Sequence, residues 1–367
     1  MANPVNMRIL QRLMEVSKAL GPLMALGLVT LLFALLEILL SNRPPVFLTA
    51  ENLRLVIVNS ATIGIAALGM TLVIIAGGID LSVGTGLALC ATVLACTLVQ
   101  NWPAWLGILT TLGTGVLLGL INGALINTLR VAPFIVTLGT MTIYLGCGKM
   151  LAQRVVGADT VRPRVIDRER PDYDQNQVPE WLKIWTSTRE KALWPSARQL
   201  PAVRGWLEWC RFPMGVWMAL GLAVVVAALL HRTVLGIYIL ALGSNEATAR
   251  LCGLPVGWIR LTVYGLLGLF VGIAGVYQFS RLMSGNPTSG VGQELRVIAA
   301  VVIGGGSLTG GQGSVLGTLA GAMMMSVIAS GCTQLGVSNA LQDVILGAVI
   351  ITAVAVDHYR QRGWQSE

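Results

Sequence analysis

The stretch LVIVNSATIGIAALGMTLVIIAGGIDLSVGTGLALCATVLACTLV, residues 55–99, contains two long apolar runs separated by a glycine-rich break. An apolar run of about 17–25 residues is long enough to cross about 30 Å of hydrocarbon as an α-helix. Similar runs recur along the 367 residues, of which 54% are hydrophobic and only 11% charged. Because soluble proteins carry about 25% charged residues, the composition excludes ordinary soluble enzymes, disordered proteins and secreted disulfide scaffolds. The sequence predicts an all-α polytopic membrane protein.

About ten transmembrane helices are predicted from the apolar runs. The candidate spans are 22–40, 55–77, 83–99, 105–129, 131–151, 214–230, 257–280, 291–308, 314–334 and 340–357. The eighth span is the weakest, because Glu294 and Arg296 stand at its start and its apolar stretch is short. Arg8, Arg12 and Lys18 place the N-terminus in the cytoplasm by the positive-inside rule, and an even number of spans returns the basic C-terminus there. No small-residue cleavage site follows the first span, which predicts an uncleaved helix.

This topology divides the chain into a cytoplasmic N-terminus (1–21), a membrane domain (22–357) and a cytoplasmic tail (358–367). The enlarged polar segment 153–213, with 11 of the 25 basic residues, falls outside the cell as an extracytoplasmic insertion. Its stretch PEWLKIWTSTREKAL predicts either a helix lying in the lipid headgroups or a solvated loop. The other basic residues mostly flank apolar runs, so the net charge of +8 indicates membrane orientation and no nucleic-acid partner.

Motifs for catalysis and cofactor binding are missing from the sequence. There is no G-x-x-x-x-G-K-[ST] phosphate-binding motif, and the cluster GGGSLTGGQG (304–313) lacks the lysine. The two histidines, His231 and His358, stand at membrane edges, and the six cysteines form no C-x-x-C pair. We therefore expect no enzyme activity, no cofactor and no metal site in this chain.

The acidic residues near the spans bear on an alternative function, an ion-coupled secondary carrier, which needs ionisable groups at membrane depth. The four candidates are Glu37, Asp80, Glu294 and Asp343. We expect all four within a turn or two of a membrane edge, except Glu37, which lies near the outer end of the first span. In that position a carboxylate caps or ends a helix, and none of the four is predicted at the midplane.

Two glycine-rich breaks are predicted on the cytoplasmic side. The first, IAGGIDLSVGTG (75–86), contains Gly77, Gly78, Asp80 and Ser82; the second, VIGGGSLTGGQGSVLGT (302–318), contains Gly304, Gly305, Gly310 and Gly311. Glycine permits tight turns, and Asp80 or Ser82 can satisfy free N–H groups at the next helix start. Gly-interrupted spans in both halves also indicate a transport pathway, so the turn interpretation and the pathway interpretation both stand.

The cytoplasmic loop 231–256 predicts a short capped helix. Ser244 or Asn245 can cap it, Glu246 suits its first turn, and Gly253 with Pro255 ends it. Ala247, Ala249 and Leu251 supply packing residues. A compact helix exposed to the cytoplasm is suited to docking into the groove of another protein.

Four ordered stretches carry a resemblance to a known family. They are GMTLVIIAGGIDLSVG (69–84), VAPFIVTLGTM (131–141), the loop from Gly236 through LGSNEA (242–247), and GQELRVIAAVVIGGGSLTGGQGSVLGT (292–318). Together, covering about residues 50–357, they resemble the permease subunits of ATP-binding cassette (ABC) importers for monosaccharides such as ribose, xylose, arabinose and galactose. The chain departs from the family pattern in Ile237, where arginine is usual, and in the longer 153–213 segment.

The resemblance implies a ten-helix permease of the bacterial cytoplasmic membrane. It implies three protein partners: a second permease copy, an extracytoplasmic sugar-binding protein, and a cytoplasmic ATPase that hydrolyses ATP for it. The family's coupling helix falls at about 244–253. The residues expected to contact the ATPase are Gly243, Ser244, Asn245, Glu246, Ala247, Ala249, Arg250, Leu251 and Gly253.

A monosaccharide needs neutral hydrogen-bonding groups along its path, and such groups lie within the predicted spans. The candidates are Asn59, Thr62, Asn122, Asn127, Thr137 and Gln278. The alternative for each is a hydrogen bond between neighbouring helices. A second alternative for the chain as a whole is a membrane scaffold that recruits a cytoplasmic protein without transport. The sequence does not identify the sugar.

Overall fold

In a computed structural model, the structure describes residues 4–40, 44–163, 182 and 214–365, and these ranges contain helices and no strands. Most of the 153–213 insertion, including its predicted headgroup helix, lies outside the described residues. The α-helices are α1 Pro4–Leu40, α2 Ala50–Ile75, α3 Val83–Val99, α4 Ala104–Leu129, α5 Pro133–Val156, α6 Met214–Arg232, α7 Val234–Ser244, α8 Glu246–Leu251, α9 Val256–Leu282, α10 Gln293–Ile303, α11 Val315–Gln334 and α12 Asn339–Gln365. A 3₁₀ turn covers Pro287–Gly290.

Seven of the described helices are long and apolar enough to cross a membrane, which confirms the all-α polytopic class. They are Gly21–Leu40 of α1 together with α2, α4, α5, α6, α9 and α11. α3 has 17 residues, and the apolar part of α12 covers Asn339–Thr352. The eighth predicted span, 291–308, forms a helix only over the 11 residues of α10. That helix is about 16 Å long, half the hydrocarbon thickness, because residues 291–292 and 304–308 of the predicted span are not helical.

The longest contact in the bundle joins α4 and α9, which run antiparallel. A Cβ on Gly115 would overlap the backbone at Gly268, and a Cβ on Gly119 would overlap the carbonyl of Tyr264. Small residues at this four-residue spacing let the two backbones approach closely, which is the main source of helix association in lipid. The seam sets the register of the bundle, with the middle residues of both helices level with each other.

α2 is the central helix of the bundle. Its inner half is almost fully buried, and it packs against α9, where a Cβ on Gly69 would meet Phe270. The Tyr277 hydroxyl of α9 donates to the carbonyl of Val58, 3.1 Å away, near the other end of α2. The order of these contacts makes α2 antiparallel to α9 and places the C-terminus of α2 toward the end where α9 begins.

α3 begins in the middle of the bundle, not at its surface. Gly86 packs against Val271 and Cys90 against Gly275, so α3 runs parallel to α9. By this register Val83, the first residue of α3, lies level with the middle of α9. The chain therefore runs along α2, turns inside the bundle at 76–82, and returns along α3. α3 crosses only the half of the bundle that contains the C-terminal part of α9.

Candidate functional site

The short helix α8 is built by local capping at both ends. The side chain of Asn245 accepts a hydrogen bond from the backbone N–H of Thr248 at 2.9 Å, so Asn245 is the N-cap. Ser244 instead donates to the carbonyl of Leu240 at the end of α7. Gly253 follows in a left-handed conformation, with φ of +77°, that lets the chain turn away after the helix.

Glu246 ties α8 to the start of α9. Its carboxylate accepts from Arg250 at 2.6 Å and from Arg260 at 3.0 Å. Partial burial alone raises the pKa of the Glu246 carboxyl, but hydrogen bonds and charges of the two arginines lower that pKa below its usual value. The contacts are therefore lost only when the pH falls through the lowered pKa. The pair with the exposed Arg250 is worth at most about 1 kcal/mol, so the less exposed Arg260 is the main anchor.

The outer surface of α8 is apolar where it leaves the bundle. Leu251 is 88% exposed, and Trp258, in the first turn of α9, is 71% exposed. Ala247 is also exposed, whereas Ala249 is buried against the bundle. α8 thus has one face that packs on the helix bundle and another that exposes a large apolar side chain.

Both glycine-rich breaks meet directly behind α8. The backbone N–H of Gly311 donates to the carbonyl of Ile75, the last residue of α2, at 2.9 Å. Gly243 of α7 lies in the same place, where a Cβ would overlap that carbonyl. Gly310 packs against Gly77 and Gly243. We call the contact among Ile75, Gly77, Gly243, Gly310 and Gly311 the glycine junction.

The other predicted turn residues lie in the same two loops. Gly78 packs under the Tyr264 side chain, Gly304 lies against the backbone of Gly317, and Gly305 takes a positive φ of +90°. Ser82 occupies the N-cap position of α3, but its side chain makes no capping bond to that helix. The breaks therefore serve as tight turns, and they also join the two halves of the chain next to α8.

Asp80 lies at the centre of the bundle, which corrects the expectation that it stands near a membrane edge. One carboxylate oxygen accepts from the Ser82 backbone N–H at 2.7 Å and from the Ser82 hydroxyl at 2.6 Å. The other accepts from the Asn122 amide at 3.0 Å. A small cavity beside it is lined by Gly115 of α4 and Gly268 of α9, which are near the middles of those helices. Sequence reasoning misplaced Asp80 because the depth of the break depends on helix register.

The hydrogen-bond network around Asp80 extends into α5. The Tyr144 hydroxyl donates to the Asn122 side-chain oxygen at 3.0 Å. The Thr137 hydroxyl accepts from the Leu81 N–H at 3.1 Å and approaches the carbonyl of Ile79. Asn122 and Thr137, both predicted pathway residues, are thus engaged in holding the break between α2 and α3.

The other carboxylates occupy different depths. Glu294 also lies at mid-depth, because α10 and α11 are antiparallel, with Ala300 against Gly321. One of its oxygens accepts from the Gly292 N–H, and the other is buried with no partner among the described residues. Glu37 accepts from two backbone N–H groups at the outer end of α1, and Asp343 is exposed.

The remaining predicted pathway residues lie at the two ends of the bundle. Asn127 donates to the carbonyl of Gly257 and holds the N-terminal end of α9 beside α4. At the opposite end, Thr62 accepts from Arg281 at 3.2 Å, and Gln278 donates to Ser289 at 2.9 Å. Asn59 is exposed on α2. The six candidates therefore form an inner, a middle and an outer layer rather than one site.

The sequence is similar to those of known membrane proteins. A family described as the permease component of branched-chain amino acid transport systems matches residues 52–354. The chain belongs to this family. The permease is 36% identical over 336 residues to the ribose import permease protein RbsC of Escherichia coli, covering 90% of this chain and 93% of that protein.

Other relatives of the permease carry different sugar names. It is 30% identical to the fructose import permease protein FrcC of Rhizobium meliloti, covering 95% of this chain and 88% of that protein. It is 32% identical to the L-arabinose ABC transporter permease protein AraH of Azospirillum brasilense, covering 91% and 87%. No solved structure matches the permease.

Sequence reasoning missed three residues of the permease that form hydrogen bonds to predicted site residues. They are Tyr144, which supports Asn122; Arg260, which anchors Glu246; and Arg281, which binds Thr62. Each forms a hydrogen bond to a residue on another helix. That residue is distant in the sequence or lies on the other side of a loop. The only available signal was a polar or charged residue inside or at the start of an apolar run.

Proposed function

We propose that this permease imports a monosaccharide across the bacterial cytoplasmic membrane as the membrane subunit of an ABC transporter. The observation that carries the proposal is α8, a capped helix with an exposed leucine, joined behind to the glycine junction. The relatives named for ribose, fructose and arabinose import support a sugar as the substrate. The sequence has no phosphate-binding motif of its own, so a separate subunit hydrolyses ATP.

Two contacts carry movement of α8 into the membrane domain. Glu246 and Arg260 link α8 to α9, and Gly243 links the preceding helix to the end of α2 and to the loop before α11. Closure of the ATPase on ATP pushes α8, and these contacts rock α2 and α9 between outward-open and inward-open arrangements. The Asp80 network passes the motion on to α4 and α5.

The proposal includes the partners expected from the sequence. A cytoplasmic ATPase docks on Leu251 and its neighbours, and an extracytoplasmic sugar-binding protein delivers the monosaccharide at the opposite end. A second permease copy completes the membrane unit, because α4, α5 and α6 leave wide apolar surfaces exposed to lipid or to another copy. Membrane lipid covers the rest. The domain limits 1–21, 22–357 and 358–367, with the 153–213 insertion outside, belong to the same proposal.

An ion-coupled carrier is the second candidate, and the mid-depth positions of Asp80 and Glu294 favour it. Both carboxylate oxygens of Asp80, however, accept hydrogen bonds from Ser82 or Asn122. These hydrogen bonds account for the burial of Asp80 as a structural group. α8 has no role in such a carrier. The ABC importer gives α8 a role and needs no ion-binding role for Asp80.

Uptake by reconstituted vesicles tests this function. Vesicles holding the permease, its ATPase and the binding protein are expected to accumulate labelled ribose, fructose or arabinose only with ATP. The substitution Leu251→Ala should lower ATPase affinity and uptake by about tenfold or more, because a central apolar anchor contributes about 2 kcal/mol or more to an interface.

Arg130→Ala is the matched control, since Arg130 is an exposed residue at the predicted cytoplasmic end of α4. Its uptake should match that of the parent protein. Accumulation that follows a proton or sodium gradient without ATP would refute the ABC assignment and establish the ion-coupled carrier.

A further inference from the structure

The outer half of α2 carries a polar residue on a surface that no described element covers. Asn59 lies nine residues after Ala50, about 14 Å along the helix, and its side chain is exposed. It continues an exposed stripe from Glu51 and Leu55 at four-residue spacing. An amide facing acyl chains would lose its hydrogen bonds at a cost of several kcal/mol. This face of α2 therefore meets water or other polar groups and not acyl chains.

The exposed face of α6 shows the contrast. Trp217 is 52%, Leu220 45% and Val224 69% exposed, and all three side chains are suited to lipid. The exposed face of α6 is thus built of large apolar groups, whereas the α2 face carries Glu51 and Asn59 on either side of Leu55.

A second polar group reaches the same face from α9. The guanidinium of Arg281 donates to the hydroxyl of Thr62 at 3.2 Å. Thr62 lies one turn below Asn59 on α2 and is itself buried. Arg281 is partly exposed, and it forms no ion pair with any carboxylate in the described ranges. A guanidinium has five N–H donors, so most of its hydrogen-bonding capacity is directed elsewhere.

We propose that Asn59 and Arg281 form an outward-facing site that binds the hydroxyl groups of a monosaccharide as it leaves the binding protein, and that the buried Thr62 positions Arg281. This inference rests on the proposed function. The planar fork of an arginine can bond two neighbouring hydroxyl oxygens at once, and the Asn59 amide both donates and accepts. Gln278 is not part of the site, because its amide is bonded to Ser289.

No carboxylate of the described residues pairs with Arg281, and the site has few hydrogen-bonding groups. It therefore binds a polyol weakly. Weak binding is what a pathway needs, because the solute must leave again. The position fits the first step of import, since Asn59 lies at the end of the bundle opposite α8.

Thiol labelling in the assembled transporter tests the site. In a variant whose six cysteines are replaced, Asn59→Cys is added and an impermeant, charged thiol reagent is applied from the binding-protein side. We expect labelling, and we expect sugar-loaded binding protein to slow it several-fold. Val224→Cys, on the apolar face of α6, is the control and should stay unlabelled.

The proposal is overturned if Asn59→Cys reacts no faster than Val224→Cys, or if sugar leaves its rate unchanged. Adding Arg281→Gln to Asn59→Cys should keep the labelling but abolish the protection by sugar, and Arg281→Lys should restore part of it. Protection that survives Arg281→Gln would also overturn the proposal, because a purely structural arginine would give that result.

Uptake of labelled sugar by the parent vesicles is measured alongside. ATP-driven uptake together with an unreactive Asn59→Cys rejects this site and leaves the proposed function standing. Labelling of Asn59→Cys that is slowed by a solute other than a sugar rejects both the monosaccharide assignment and the sugar site.

Discussion

Replacing Gly243 by alanine is expected to abolish most ATP-dependent uptake while the chain still inserts into the membrane. A methyl group there would overlap the carbonyl of Ile75 and crowd the N–H of Gly311. Neither backbone group can move freely, because they are hydrogen-bonded to each other. An overpacked contact costs about 1–3 kcal/mol, so the junction should open and transport should fall roughly tenfold or more. The measurement is initial uptake rate together with ATP hydrolysis stimulated by the loaded binding protein.

Gly221→Ala is the matched control, because Gly221 is also helical and has open space where a Cβ would stand. It should transport like the parent protein. If Gly243→Ala takes up sugar at the rate of the parent protein, the glycine junction does not transmit the movement of the ATPase to the membrane helices.

Replacing Asp80 by alanine is expected to lower the thermal stability of the permease by several degrees and to reduce uptake. The change removes the acceptor of the Ser82 N–H and of one N–H of the Asn122 amide, whose other N–H still donates to the Ser82 hydroxyl. Each buried donor left without an acceptor costs about 1–3 kcal/mol. The N-terminus of α3 also loses a negative charge that its dipole favours. The unfolding temperature in detergent and the uptake rate measure the two effects.

Asp343→Ala is the control for removing a carboxylate, since Asp343 is exposed. It should leave both quantities close to those of the parent. Equal unfolding temperatures for the two variants would disprove the structural role of Asp80. Loss of proton-gradient dependence in Asp80→Asn, at unchanged stability, would instead make Asp80 an ion-coupling group.

Features set by local sequence could be predicted. The N-cap at Asn245 and the end of α8 near Gly253 depend on residues within one or two turns, so capping rules place them within a residue. The limits of α4 follow in the same way from its apolar run, and they differ by one residue from the predicted span, at the start.

Features set by tertiary register could not be predicted. The depth of Asp80 follows from how α2, α3 and α9 pack, which hydropathy does not encode. The eighth span was drawn too long, because hydropathy does not reveal that the helix ends at Ile303, before the glycine-rich residues 304–308. The contact of Arg281 with Thr62 joins residues 219 positions apart, and an arginine at a helix end has the same local sequence whether or not it binds a partner.

The most direct test of the account uses a residue that the chain already has. Cys252 is a free, exposed cysteine at the C-cap of α8. An impermeant maleimide is applied to right-side-out and to inverted membrane vesicles, and labelling of Cys252→Ser is subtracted. The account predicts that Cys252 reacts only in inverted vesicles and that bound ATPase protects it. Reaction of Cys252 in right-side-out vesicles would contradict the account, because α8 would then lie on the wrong side of the membrane to meet an ATPase.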